Sequence, residues 1–88
     1  MKDIEFEKAL KALANKRRLS IVSLLKKKRE MTVGDIANEI KLSFRSTSRH
    51  LKILSAANVV SSEQRKTFVF YKCDANSLKS VKNWMNSL

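Results

Sequence analysis

The chain has 88 residues, 43% of them hydrophobic, with one cysteine, one histidine, one glycine and no proline. That length holds one core rather than two, the apolar share argues against wholesale disorder, and a lone cysteine excludes an internal disulfide or a multi-cysteine zinc site. Nineteen Lys and Arg against eight Asp and Glu give a net charge of +11, a balance that attracts polyanions and steers their approach.

Phe6, Ala9, Leu10 and Leu13 fall at i, i+3, i+4 and i+7 and mark a first helix. Asn15 is placed to cap a second helix running to about Lys28, with Leu19, Val22 and Leu25 buried and Ile21 and Leu24 widening the stripe. Its end carries Lys26, Lys27, Lys28 and Arg29. Cations there suit the negative end of the helix dipole, with a phosphate contact as the alternative. Thr32 and Asp35 form a capping-box pattern opening a short third helix in which Val33, Ile36, Ala37 and Ile40 point one way. Ser43 then caps a fourth helix after only about three residues, so a tight helix–turn–helix is expected. Asn58 tolerates the left-handed conformation that ends helices. Beyond it, Val59, Val60 and Phe68–Tyr71 flank a charged EQRK and read as a two-stranded hairpin, its turn expected to be a longer loop for want of Asn-Gly or Asp-Gly. A last helix starts near Asn76, with Leu78, Val81, Met85 and Leu88 on one stripe and Trp84 beside it. The expected fold class is mainly α with a small β-hairpin, in the order α-α-α-α-β-β-α, as one domain over residues 1–88.

The fourth helix carries the clearest chemical signal. Arg45, Ser48, Arg49 and Lys52 share one face, while Leu51 and Leu54, with Thr47 between them, lie on the other. A solvated face normally mixes both signs of charge, and this one has hydroxyls and cations without an acid. Arginine donates bidentately to guanine edges and phosphates, and serine lets a backbone approach closely. The Ser43 hydroxyl can accept the backbone N–H of Arg45 or Ser46, which leaves the first turn free to face a partner, and Ser43 and Ser46 join the expected contact set. Charge along the chain agrees. Residues 1–40 hold ten basic and six acidic side chains, whereas residues 41–72 hold seven basic ones and only Glu63. The partner expected from these residues is nucleic acid.

The order of elements resembles a winged helix–turn–helix, and specifically the ArsR-type family of bacterial and archaeal transcriptional regulators. KALANKRRLSIVSLL, with Arg18, Leu19 and Ile21, looks like that family's second-helix signature. SRHLKIL (Ser48–Leu54) matches its recognition-helix motif, and FYKC resembles the return strand of its wing. The resemblance covers nearly the whole chain and implies that residues 43–57 enter the major groove of double-stranded DNA. It makes the 62–67 loop, with Gln64, Arg65 and Lys66, a wing on the backbone. The wing is the poorest match, since the turn glycine common in relatives is missing and Lys66 stands near its position. The first and last helices are implied to form a two-fold interface through Phe6, Leu10 and Leu13 on one side, and Leu78, Val81, Trp84, Met85 and Leu88 on the other. The residues favour the same assembly, because stripes at both ends of so short a chain exceed what one small core hides. A two-fold dimer would also set two recognition helices about 34 Å apart, one DNA turn.

Many relatives bind metal through Cys-x-Cys at the start of the third helix, where this chain has Thr32 and Gly34. Others use Asp and His on the last helix, where residues 76–88 offer no Asp, Glu or His. No metal and no cofactor is therefore expected. His50 reads as a hydrogen-bonding residue at the edge of the core, and Cys73 as a small buried hydrophobe. No nucleophile–base pair or phosphate loop is present, so an enzyme is not expected. The expected function is a sequence-specific regulator, a repressor acting as a homodimer and controlled by its concentration, a protein partner or an unidentified effector. A sequence-independent architectural protein coating nucleic acid is the alternative. The MKDIEFEKAL start is unlike an apolar signal segment and no apolar run is of membrane length, so a cytoplasmic, nucleoid-associated protein without a membrane partner is expected.

Overall fold

Side-chain oxygens set where four of the helices begin. Asn15 Oδ1 accepts the backbone N–H groups of Arg17 and Arg18 (3.0 and 3.1 Å), Thr32 Oγ1 that of Asp35 (3.2 Å), Ser43 Oγ that of Ser46 (3.1 Å) and Asp74 Oδ1 that of Ser77 (3.1 Å). Each satisfies donors that a helix N-terminus leaves unpaired. The structure, a computed structural model, describes residues 3–88. In chain order it comprises α1 (Asp3–Leu13), α2 (Lys16–Lys28), β1 (Glu30–Thr32), α3 (Val33–Ile40), α4 (Phe44–Ala56), β2 (Val60–Arg65), β3 (Phe68–Cys73) and α5 (Ala75–Asn86).

The helices pack around Ile21, Leu25, Ile36, Leu51, Leu54 and Val59, none more than 1% exposed, with Ala9, Ala12, Met31 and Tyr71 closing the edges. Small residues on α1 let α2 and α4 approach it closely. β3 is the central strand of an antiparallel sheet ordered β1-β3-β2, and Tyr71 pairs with Met31 on one side and Ser62 on the other.

Three expectations are corrected. Leu19 is 54% exposed, and α2 instead buries Ile21, Val22 and Leu25. The sheet has a third strand, β1, which adds an element to the expected α-α-α-α-β-β-α order and joins the helical layer to the hairpin. The hairpin has no long loop: β2 continues through Glu63, Gln64 and Arg65, the register closes on Arg65 opposite Phe68, and only Lys66 and Thr67 form the turn. Lys66 takes a φ of 56°, supplying without glycine the positive dihedral that a two-residue turn demands. The last helix begins at Ala75, next to the expected Asn76, with Asp74 as its cap.

Candidate nucleic-acid interface

α4 is anchored on one side and open on the other. Thr47, Leu51 and Leu54 have 0% exposure. Arg45, Arg49 and Lys52 are exposed and Ser48 is half-buried beside them, so the four residues singled out by spacing do share a surface. α4 contains no Asp or Glu. Among the described residues, none of the three cations lies within ion-pair distance of a carboxylate. Ser43 is exposed and caps the helix, whereas the N–H of half-buried Ser46 is taken by that cap and is not free for a phosphate. Phe44, which cation-and-hydroxyl reasoning passes over, is 62% exposed and lines the same shallow groove as Arg45, Ser48, Arg49 and Lys52.

His50 fixes α4 from behind. The half-buried Arg18 guanidinium reaches it at 3.3 Å from Nη1 to Nδ1, and also donates from Nε to the Ala12 carbonyl at the end of α1. A guanidinium only donates, so Nδ1 accepts and the imidazole is neutral with its proton on Nε2. Burial first, then the charges of Arg18, Arg17 and Arg49, lower the pKa of His50 and hold that neutral form. Through Arg18 the SRHLKIL histidine ties the middle of α4 to the first turn of α2 and the end of α1, in line with a hydrogen-bonding role.

The hairpin presents its cations unequally. Arg65 donates from Nη2 to Glu30 Oε2 at 2.7 Å, sits 3.7 Å from Glu63 and stacks 4.0 Å over the Phe70 ring. The hydrogen bond to Glu30 raises its pKa further, so its charge is already partnered across β1 and β2. Lys66 is exposed at the tip, and Gln64 Nε2 donates to the Lys66 carbonyl (3.4 Å). The residues of the 62–67 segment therefore divide into a braced arginine and an outward lysine.

α1 and α5 meet through Phe6 and Trp84, ring centroids 5.5 Å apart. Leu10, Leu13 and Leu78 are half-buried, Met85 and Leu88 are 57% and 87% exposed, and Val81 is buried within the protomer. Ile4, absent from the sequence-based set, adds an exposed apolar side chain to α1. The Cys73 thiol donates to the Val22 carbonyl (3.6 Å), and burial pushes its pKa up, which keeps it protonated and slow to react. Among the described residues no three His, Cys, Asp or Glu side chains converge, and no helix is long and apolar enough to cross a membrane.

Residues 15–62, more than half of the chain, match the model of the bacterial regulatory protein family ArsR. The transcriptional repressor SdpR of Bacillus subtilis is 39% identical over 75 residues, covering 85% of this chain and 82% of that protein. The transcriptional activator HlyU of Vibrio cholerae is 33% identical over 72 residues, covering 82% of this chain and 66% of its own length. A homodimeric winged helix–turn–helix DNA-binding domain from Mycobacterium bovis superposes with a TM-score of 0.81 over 99% of this chain and 86% of that one, at 23% identity, a likeness of fold. α3 and α4 form the helix–turn–helix, β2 and β3 the wing. The chain belongs to the ArsR family of bacterial regulatory proteins, which are transcriptional regulators rather than enzymes.

Proposed function

We propose that this chain binds specific sequences of double-stranded DNA as a homodimer and represses transcription from them, with residues 43–57 in the major groove and the wing tip on the backbone. One observation carries the reading: an acid-free face of Arg45, Ser48, Arg49 and Lys52 lies on a helix whose opposite side is sealed by Thr47, Leu51 and Leu54. A helix so held enters a groove without rearranging the core, and its N-terminal residues meet base edges. The exposed apolar surface of α1 and α5 supports the dimer, since Ile4, Met85 and Leu88 have little cover within the protomer. The M. bovis domain is described as homodimeric, and a two-fold axis gives paired half-sites.

Repression is favoured over activation by the greater identity to SdpR than to HlyU. The regulation we favour involves no metal. The two positions where relatives carry thiolates are Thr32, whose hydroxyl caps α3, and Gly34. Control then falls to the protein's own concentration, a protein partner or an effector.

The test is selection of bound fragments from genomic or random DNA, followed by titration of the selected site against scrambled sequence at several salt concentrations. A palindromic consensus bound about 10³-fold or more tighter than scrambled DNA is expected. A ratio near one, with only the strong salt dependence that a +11 charge brings, would establish the architectural coating role instead.

A further inference from the structure

We infer that Phe44 is a specificity-determining residue that reads the 5-methyl group of a thymine, next to the base edge met by Arg45. The inference rests on the DNA-binding reading above and adds to it a side chain without charge or hydrogen-bonding capacity. Phe44 is the first residue of α4 and is 62% exposed. The residues that anchor α4 are Thr47, Leu51 and Leu54, so Phe44 is not needed to hold the helix in place. An aromatic ring left in water forgoes the stabilisation that burial would give it.

Its position says where that ring would be covered. At i and i+4, Phe44 and Ser48 stand one above the other on α4, and both line the groove shared with Arg45, Arg49 and Lys52. The ring therefore belongs to the cationic surface and not to the apolar surface of α1 and α5. It also sits at the N-terminal end of the helix, the end that penetrates deepest in helix–turn–helix docking. A phosphate offers a phenyl ring nothing. On the major-groove floor the apolar group among the base-edge donors and acceptors is the thymine methyl, with which phenylalanine makes apolar contact. Arg45, next in sequence, supplies paired donors for a neighbouring purine. The ligand class is accordingly a T·A pair adjacent to a hydrogen-bonded base in each half-site.

The test needs the selected operator, in which each thymine is replaced in turn by deoxyuridine, a change that removes only the methyl group. Wild type, Phe44→Leu and Phe44→Ala are titrated against the set by fluorescence anisotropy, with circular dichroism confirming equal folding. One symmetric pair of thymines is expected to matter: the uracil form binds wild type about fourfold more weakly per half-site, what one buried methyl is worth. Phe44→Leu keeps most of that penalty and Phe44→Ala loses it. If no uracil substitution weakens wild type, or the sensitive thymine is as sensitive in Phe44→Ala, the inference is overturned while the palindromic consensus still stands. If wild type selects no consensus at all, the DNA-reading proposal itself fails and this one falls with it.

Discussion

Arg18 and Arg17 are neighbours of the same type, yet removing them should have very different effects. The Arg18 guanidinium is half-buried and serves two acceptors, the Ala12 carbonyl and His50 Nδ1. In the last turn of α1 the carbonyls of Leu10, Lys11 and Leu13 take backbone N–H groups from Ala14 and Asn15, and Arg18 serves Ala12. Arg18→Ala thus deprives two partly enclosed acceptors of a charged donor. Leaving such groups unpaired costs about 1–3 kcal/mol each. With the longer His50 contact at the low end, the total is about 3 kcal/mol, or about 12–24 °C in Tm for a domain of this size. Arg18→Lys should recover less than half, because an ammonium cannot serve both directions as the fork does. Arg17 is exposed and makes one 3.4 Å bond to the Ile40 carbonyl, so Arg17→Ala should cost less than about 0.5 kcal/mol. Urea unfolding followed by circular dichroism, at one protein concentration because a dimer's stability depends on it, separates the two. An Arg18→Ala variant within about 0.5 kcal/mol of wild type, or losing no more than Arg17→Ala, would refute the account.

Three further outcomes are expected. His50 has a pKa below its ordinary 6.5 in the folded chain. Below pH 6.5 the unfolded chain takes up a proton that the folded one resists, so stability falls on acidification through 6.5 and levels off beneath the folded pKa; urea midpoints from pH 7.5 to 5 should show that loss in wild type and lack it in His50→Gln. In the wing, Lys66→Ala should reduce the salt slope of DNA binding by about one, and Arg65→Ala by clearly less because Glu30 and Glu63 already partner its charge. Glu30→Gln should bring Arg65 up to the Lys66 effect, and equal slopes for both alanine variants in the wild-type background would reject this division. Lys41 ends α3 at φ 56° with its N–H and that of Leu42 on the Ala37 carbonyl; Lys41→Gly should raise stability by about 0.5–1 kcal/mol, as glycine relieves the left-handed position, measured by the same urea unfolding.

What the sequence reveals tracks how local the physics is. Asn15, Thr32 and Ser43 bond within three residues of themselves, so cap and helix start are legible together. Asp74 obeys the same rule, and α5 starts beside Asn76 as expected. Leu19 has the correct spacing for the buried stripe of α2 and is still exposed, because spacing says which residues share a face and not where the neighbouring element stops. β1 is three residues long and exists only by pairing with β3, so nothing in Glu30–Thr32 alone announces it. The polar stretch at Glu63–Arg65 resembles a loop, since after Val60 and half-buried Ser61 the residues of β2 are exposed and the alternation that marks a half-buried strand is missing. At the candidate interface, the shared face of Arg45, Ser48, Arg49 and Lys52 follows from helical period. The capture of Arg65 by Glu30 joins residues 35 apart and is visible only once the sheet is assembled.

A different local rule, the placement of charge at helix ends, is broken at the start of two helices, and the difference between them points to the partner. Cations disfavour the positive end of a helix dipole, yet the first turn of α2 is Lys16, Arg17 and Arg18 and that of α4 includes Arg45, with no acid in either. In α2 the conflict is relieved internally: Arg18 reaches back to the Ala12 carbonyl, Arg17 reaches the Ile40 carbonyl, and Lys26–Lys28 stand at the favourable end of the same helix. Arg45 has no such outlet, for among the described residues it has neither a carboxylate nor a carbonyl partner. A conflict between local preference and fold that goes uncompensated within the molecule marks a functional position. The compensation suited to an unpaired guanidinium at a helix N-terminus is an external anion or acceptor array. A DNA groove supplies phosphate oxygens along its walls and purine acceptors on its floor.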